Sequence, residues 1–178
     1  INDSLALDTF NYGFLIEQYL IAVADNMQSN TATLLAVFTK LIRNSFNNYL
    51  EYALDYVQAG MFEEATDLLK LYEKNQVKAT PLLYYYLGWL NIQLNNQPIA
   101  DAYLKKAAMA SPDYCFPNKI EDMMVLISAI NNNTSDAKAY YYLGNYWYAR
   151  RQYTEAIECW EKSKHLDNTF PTVLRNLS

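Results

Sequence analysis

From Phe10 to about Asn26, apolar residues recur at helical spacing, at Phe14, Leu15, Tyr19, Ala22 and Val23, and the polar run Asn26 to Asn30 breaks the pattern. A second helix is predicted beyond it. Asn30 or Thr31 can cap that helix, and Leu34, Leu35, Val37, Phe38, Leu41 and Ile42 give it a wide apolar face. Over residues 46–79 a first helix carries Tyr49, Tyr52, Ala53 and Tyr56 and stops at Gly60, where a residue without Cβ can take a left-handed terminus. Phe62, Ala65 and Leu69 mark its partner, whose first turn holds Glu63 and Glu64 at the end where the helix dipole favours negative charge. Residues 81–112 repeat the alternation, with Pro81 and Pro98 opening helices and Pro112 closing the unit. Residues 137–170 repeat it again, and Pro171, Leu174 and Leu177 begin another first helix. Leu7-Asp8-Thr9 is similar to Leu166-Asp167-Asn168, so residues 1–8 read as the tail of a preceding second helix.

One stretch occurs twice, as Tyr84-Tyr85-Tyr86-Leu87-Gly88 and as Tyr140-Tyr141-Tyr142-Leu143-Gly144. In each copy an Ala follows the Gly by twelve residues, Ala100 and Ala156, and a bulky residue stands four further on, Leu104 and Trp160. Small residues at these places let two helix axes approach to roughly 8–10 Å. The pattern resembles the helix-turn-helix unit of the tetratricopeptide repeat (TPR) family, and the resemblance implies an all-α, right-handed α-solenoid of helical hairpins. The expected organisation is one array spanning residues 1–178, with repeats at about 10–44, 46–79, 81–112, a partial one at 113–135, 137–170, and the start of another at 171–178. Asn91 departs from the pattern, because the family prefers an aromatic residue there.

The spacing from Leu87 to Leu143 is 56 residues, which is not a multiple of the ~34-residue period. A helix from about Pro117 to Asn131 therefore reads as the second helix of a repeat that lacks its first. An extended strap at about 113–118 would return the chain to the correct end, since six extended residues at ~3.3 Å reach as far as a fourteen-residue helix at ~1.5 Å per residue. A notch is expected there, partly filled by Tyr114, Cys115 and Phe116.

Composition narrows the function. The chain is 52% apolar and 19% charged, with only four Gly and five Pro, which fits helices joined by short connections. Its net charge of −5, without a local basic patch, argues against nucleic acid, and no stretch approaches the ~18 apolar residues of a membrane span. Candidate chemistry is thin. His165, the lone histidine, lies near a helix C-terminus; Glu121 and Asp122 are adjacent and point apart; Cys115 and Cys159 have no metal or redox spacing and read as buried thiols. No catalytic residue, metal site or cofactor is assigned, and the segment is read as non-enzymatic. The chain opens Ile1-Asn2-Asp3 without Met and reads as an excised piece, with a cytoplasmic setting favoured.

In tetratricopeptide arrays the first helices line a concave groove. The family register implies groove positions at Leu82, Tyr85, Trp89 and Ile92, then Lys138, Tyr141, Asn145 and Tyr148. Some members grip a terminal carboxylate there through Lys and Asn. Tyr85 and Tyr141 stand where a clamp Lys would be, and only Lys138 and Asn145 match its ionic part, so an aromatic groove for a protein segment is expected instead. The partner would be a protein or peptide segment, another domain of the parent chain included, and exposed array ends would favour a homodimer. Leu54-Asp55-Tyr56 with Gly60 and Glu63-Glu64-Ala65, Asp113-Tyr114-Cys115-Phe116-Pro117 and Tyr142-Leu143-Gly144-Asn145 also resemble the helical part of large bacterial proteins. In those an uncharacterised β-rich domain, with a suspected relation to sugar-binding enzymes, precedes a tetratricopeptide array. That likeness implies the alternative of a non-catalytic segment of a carbohydrate-active enzyme, whose Tyr85, Trp89 and Tyr148 would contact sugar or the catalytic domain.

Overall fold

The computed structural model describes residues 12–25, 28–76 and 79–178, and among these the secondary structure is ten α-helices and no strand. Leu7-Asp8-Thr9, Phe10 and Asn26, which enter the sequence reading, lie outside the described residues. Packing divides the chain into two compact units, one up to Asn75 and one from Gln76 onward.

The first unit holds α1 (Tyr12–Ala24), α2 (Gln28–Leu41), α3 (Phe46–Gln58) and α4 (Phe62–Lys74), with α1 against α2 and α3 against α4. Its core runs through Ile16, Phe38, Ile42, Tyr49, Ala65 and Leu69, and Tyr49 stands edge-on to Phe38 with ring centroids 5.6 Å apart. The apolar faces of the first hairpin are narrower than the spacing predicts, because α1 is apolar almost all round. Val23 and Val37 are exposed, and Ile16 is buried instead. Asn30 and Thr31 lie inside the first turns of α2, which begins at Gln28. Glu63 and Glu64 occupy the first turn of α4 as expected.

In the second unit α5 (Pro81–Gln93) pairs with α6 (Gln97–Met109), and α8 (Ala137–Ala149) pairs with α9 (Tyr153–Leu166). Between the pairs α7 (Ile120–Asn132) stands without a helical partner of its own and packs on both α5 and α8, while α10 (Pro171–Asn176) packs on α9. Both hairpins close on a glycine. A Cβ on Gly88 would lie 2.7 Å from Leu104 Cδ2, and Ala100 and Ala156 are fully buried at the same crossings.

Three first helices end alike. At Gly60 (φ 78°), Asn95 (φ 57°) and Arg151 (φ 61°) the chain turns left-handed. In each the next amide reaches back to an earlier carbonyl of the helix, Met61 to Tyr56, Asn96 to Asn91 and Gln152 to Trp147, which is the Schellman arrangement. Asn91, the departure from the repeat pattern, is buried and donates from Nδ2 to the Leu87 carbonyl at 2.7 Å, so its amide is satisfied within its own helix.

Residues 110–119 contain no helix, as the strap reading requires. The following helix starts at Ile120 and not near Pro117, because Asp122 Oδ2 reaches back to the amides of Asn118 (2.7 Å) and Lys119 (2.9 Å). This is the reach-back half of a capping box. Arg150 holds the same point from the other side, donating to the Asn118 carbonyl at 2.7 Å while its guanidinium lies over the Tyr146 ring.

Candidate functional site

The place of the absent helix is taken by side chains. Tyr85 of α5 is fully buried and donates to Asp136 Oδ2 at 2.9 Å, and its ring meets Tyr142 of α8 edge-on at 6.1 Å. Its neighbour Tyr86 donates to Asp122 Oδ1 at 2.7 Å. Asp136 has a second task as N-cap of α8, accepting from the amides of Lys138 and Ala139 at 3.1 Å each. Burial raises its carboxyl above the ordinary aspartate value, and the hydrogen bonds from Ala139 and Tyr85 only partly offset that. Cys115 is tucked into this seam beside Thr80, Leu82 and Tyr142, and burial pushes its thiol up to about 12.

Several expected positions are therefore occupied from within. Leu82 and Tyr85 are buried, Leu82 beside Cys115 of the strap and Tyr85 against Asp136 and Tyr142. They do not line an open groove. Lys138 Nζ donates to the Ala110 carbonyl at 2.6 Å and ties α8 to the end of α6, so its ammonium is engaged inside the fold. Burial lowers its pKa, against the pull of Asp136 and Asp167. Trp89 is half-buried and Ile92 is likewise partly covered. Of the notch residues only Cys115 fills the gap; Tyr114, in a turn with φ 57°, and Phe116 are 90% and 72% exposed. Cys159 is half-buried rather than buried.

The remaining three predicted positions come together. Tyr141, Asn145 and Tyr148 of α8 line a cleft of about 420 Å³ with Phe116 of the strap. Trp160 of α9 and Arg175 and Asn176 of α10 complete it. Asn145 organises the polar part. Its Oδ1 accepts from Trp160 Nε1 and from Asn176 Nδ2, both at 3.1 Å, which fixes three helices around one carbonyl. Tyr148 is half-exposed and packs against Trp160 (5.4 Å) and Tyr153 (5.3 Å), and Tyr141 is held by Phe170 at 4.9 Å. Three of the lining rings, Tyr141, Tyr148 and Trp160, thus pack against other rings, whereas Phe116 and the Arg175 side chain are exposed. Arg175 and Asn176 were missed by the sequence reading, although Arg175 stands one ~34-residue period beyond Tyr141 and the same register would have found it.

No group of three His, Cys, Asp or Glu side chains able to hold a metal occurs among the described residues, and none of their helices is long and apolar enough to cross a membrane. The family model described as tetratricopeptide repeat matches residues 137–170, the hairpin that carries most of the cleft. Residues 137–170 form a tetratricopeptide repeat. Among solved structures, this chain is similar to YrrB, described as a TPR protein with an unusual peptide-binding site. The identity is 16% and the TM-score 0.37, over 98% of this chain and 96% of that one. It is also similar to MamA (19% identity, TM-score 0.35, 93% of this chain and 78% of that one). A third likeness is to a chain of the APC/C hetero-tetramer Cut9-Hcn1, at 14% identity and TM-score 0.40, where it covers 99% of this chain and 37% of the other. No curated protein matches this chain by sequence.

Proposed function

We propose that this chain is a protein-interaction scaffold whose second unit takes an extended or helical protein segment into the cleft of Phe116, Tyr141, Tyr148 and Trp160. Tetratricopeptide arrays in general present surfaces to protein partners. The observation that carries the reading is the cleft itself: four aromatic side chains around an open space of about 420 Å³, in a unit whose other large side chains are mostly packed against one another. Rigid rings that bury apolar area while offering a hydroxyl or indole N–H are the usual anchors of a binding surface. The partner segment belongs to another protein or to another domain of the same parent chain. The reading gives the cleft a binding role and no bond-making or bond-breaking step.

Selection from a displayed peptide library, followed by titration of the recovered peptides against Tyr148→Ala and Phe116→Ala, tests this. Both side chains are exposed enough that removal leaves the core intact. Loss of about 2 kcal/mol or more of binding energy in either variant is the expected result for an anchor residue. Peptides that bind both variants as tightly as the parent, or selective retention on a glycan array with no peptide recovered, would overturn the proposal.

A further inference from the structure

The cleft of the second unit is lined by a single charged side chain, Arg175, with no acid among the lining residues. In a chain of net charge −5 that is a local reversal of sign. Arg175 is exposed and no described Asp or Glu forms a salt bridge with it, while Lys138 is engaged at the Ala110 carbonyl and gives the cleft no charge. The arginine stands next in sequence to Asn176, whose Nδ2 donates to Asn145 Oδ1 at 3.1 Å, so α10 is tied to α8 beside it. Trp160 Nε1 can only donate, so the Asn145 atom that it meets is the oxygen, and Asn145 Nδ2 remains as a further donor on the lining. Depth separates the two chemistries. Tyr141 and Trp160 are buried whereas Arg175 is exposed, which puts those rings at the floor and the guanidinium toward the rim.

Resting on the peptide-binding role proposed above, we infer that the segment taken by this cleft carries an aspartate or glutamate side chain close to its apolar anchor, and that Arg175 receives that carboxylate. Charge complementarity selects the acid. A basic segment is repelled by the one ionised group of the lining, and a neutral segment leaves the guanidinium without a partner. The planar fork of arginine suits a carboxylate, to which it donates two parallel N–H bonds. The acid belongs to a side chain within the segment and not to a chain end, because a cation at the rim meets residues that flank the anchor while the backbone runs on past it. The aromatic floor supplies affinity, and the rim arginine selects among segments that all fill it.

The test selects peptides displayed inside a loop, so that no free terminus is presented, in parallel against the parent chain and Arg175→Gln. That side chain is exposed and the bond from Asn176 to Asn145 does not involve it, so the variant keeps the fold. Parent selections should enrich Asp or Glu near a recurrent apolar residue, and variant selections should not. One recovered sequence is then made as an acetylated, amidated peptide in its acid form and with the acid replaced by the matching amide. The acid form should bind the parent about fivefold more tightly, as expected for an ion pair at a rim, with an advantage that shrinks as salt rises and vanishes in Arg175→Gln. Tyr148→Ala should weaken both forms alike. Peptides that need Tyr148 yet show no preference for an acid, an acid preference that survives in Arg175→Gln, or an amide form that recovers full affinity when its terminal carboxylate is left free would overturn the inference and leave the cleft a peptide site. Selections that yield no peptide, or only peptides indifferent to Tyr148→Ala, would overturn both.

Discussion

The Cβ that Gly144 lacks would sit 2.5 Å from Nε1 of Trp160 on the facing helix. The same atom would lie 3.1 Å from the Ala156 carbonyl, so neither side of the crossing has room to give. The Trp160 ring is further tied by its bond to Asn145. Gly144→Ala must therefore push the whole indole, and overpacking of this kind costs about 1–3 kcal/mol. At Gly88 the obstruction is the Leu104 side chain, Cδ2 at 2.7 Å and Cγ at 2.8 Å, which is smaller than an indole, and the backbone is 3.5 Å away. Urea denaturation should show a clear loss for Gly144→Ala and a smaller one for Gly88→Ala. Peptide binding should weaken only in the former, whose Trp160 lines the cleft.

Arg151 pays for a left-handed backbone that Gly60 adopts without strain. A residue with Cβ in this region is disfavoured by roughly 1–2 kcal/mol, a gain that is partly offset when glycine loosens the unfolded chain. Arg151→Gly should raise stability by about 0.5–1 kcal/mol, measured by thermal melting. Asn95→Gly should gain less, because asparagine tolerates this conformation better than arginine does.

The close crossings were legible in the sequence because they depend on residue size alone. Gly88, Ala100, Gly144 and Ala156 say that two helices touch without saying which other elements surround them. The strap was legible for a similar reason, since counting from Leu87 to Leu143 exposes a missing stretch of chain. The groove was not. Whether Tyr85 faces a ligand or a neighbour depends on what stands next to α5, and the missing helix brings Asp136 and Tyr142 there. Family register assumes a neighbour in every repeat, so it fails first beside the irregular one. Asp136 looks like an ordinary helix cap in the sequence, and nothing local marks it as the acceptor for a tyrosine 51 residues earlier.

Thiol chemistry should follow burial. The thiols of Cys115 and Cys159 are pushed by burial to about 12 and about 11, so neither supplies much thiolate at neutral pH. Cys115 is 2% exposed whereas Cys159 is half-buried. Alkylation of the native chain should be slow at both, with Cys159 modified first and Cys115 only after local opening of the strap. Peptide mass mapping over time reads the order, and equal rates would show that the strap opens freely.

Asp136 gives the fold a pH dependence whose sign runs opposite to that of a surface-paired carboxylate. Its folded pKa is raised above the usual 3.8, chiefly by burial, so the folded state holds the proton more tightly than the unfolded chain. The stabilising contribution is complete below the unfolded value and is lost as pH rises through the folded one. At neutral pH the ionised carboxylate is thus less favourable than a neutral group of the same shape. Asp136→Asn keeps one oxygen for the two amides of the α8 cap and brings Nδ2 to the Tyr85 hydroxyl, which then accepts instead of donating, so at about pH 7 it should lose much less stability than Asp136→Ala. Its stability should also change less between about pH 4 and about pH 7 than that of the parent. Asp136→Ala strands the buried Tyr85 hydroxyl and removes the cap, at a combined cost of about 2–4 kcal/mol. Urea titrations at the two pH values separate these outcomes. An Asn variant that loses as much as the Ala variant at neutral pH would mean that Tyr85 must donate to a carboxylate oxygen, and cannot accept from an amide instead, to hold α5 at the start of α8.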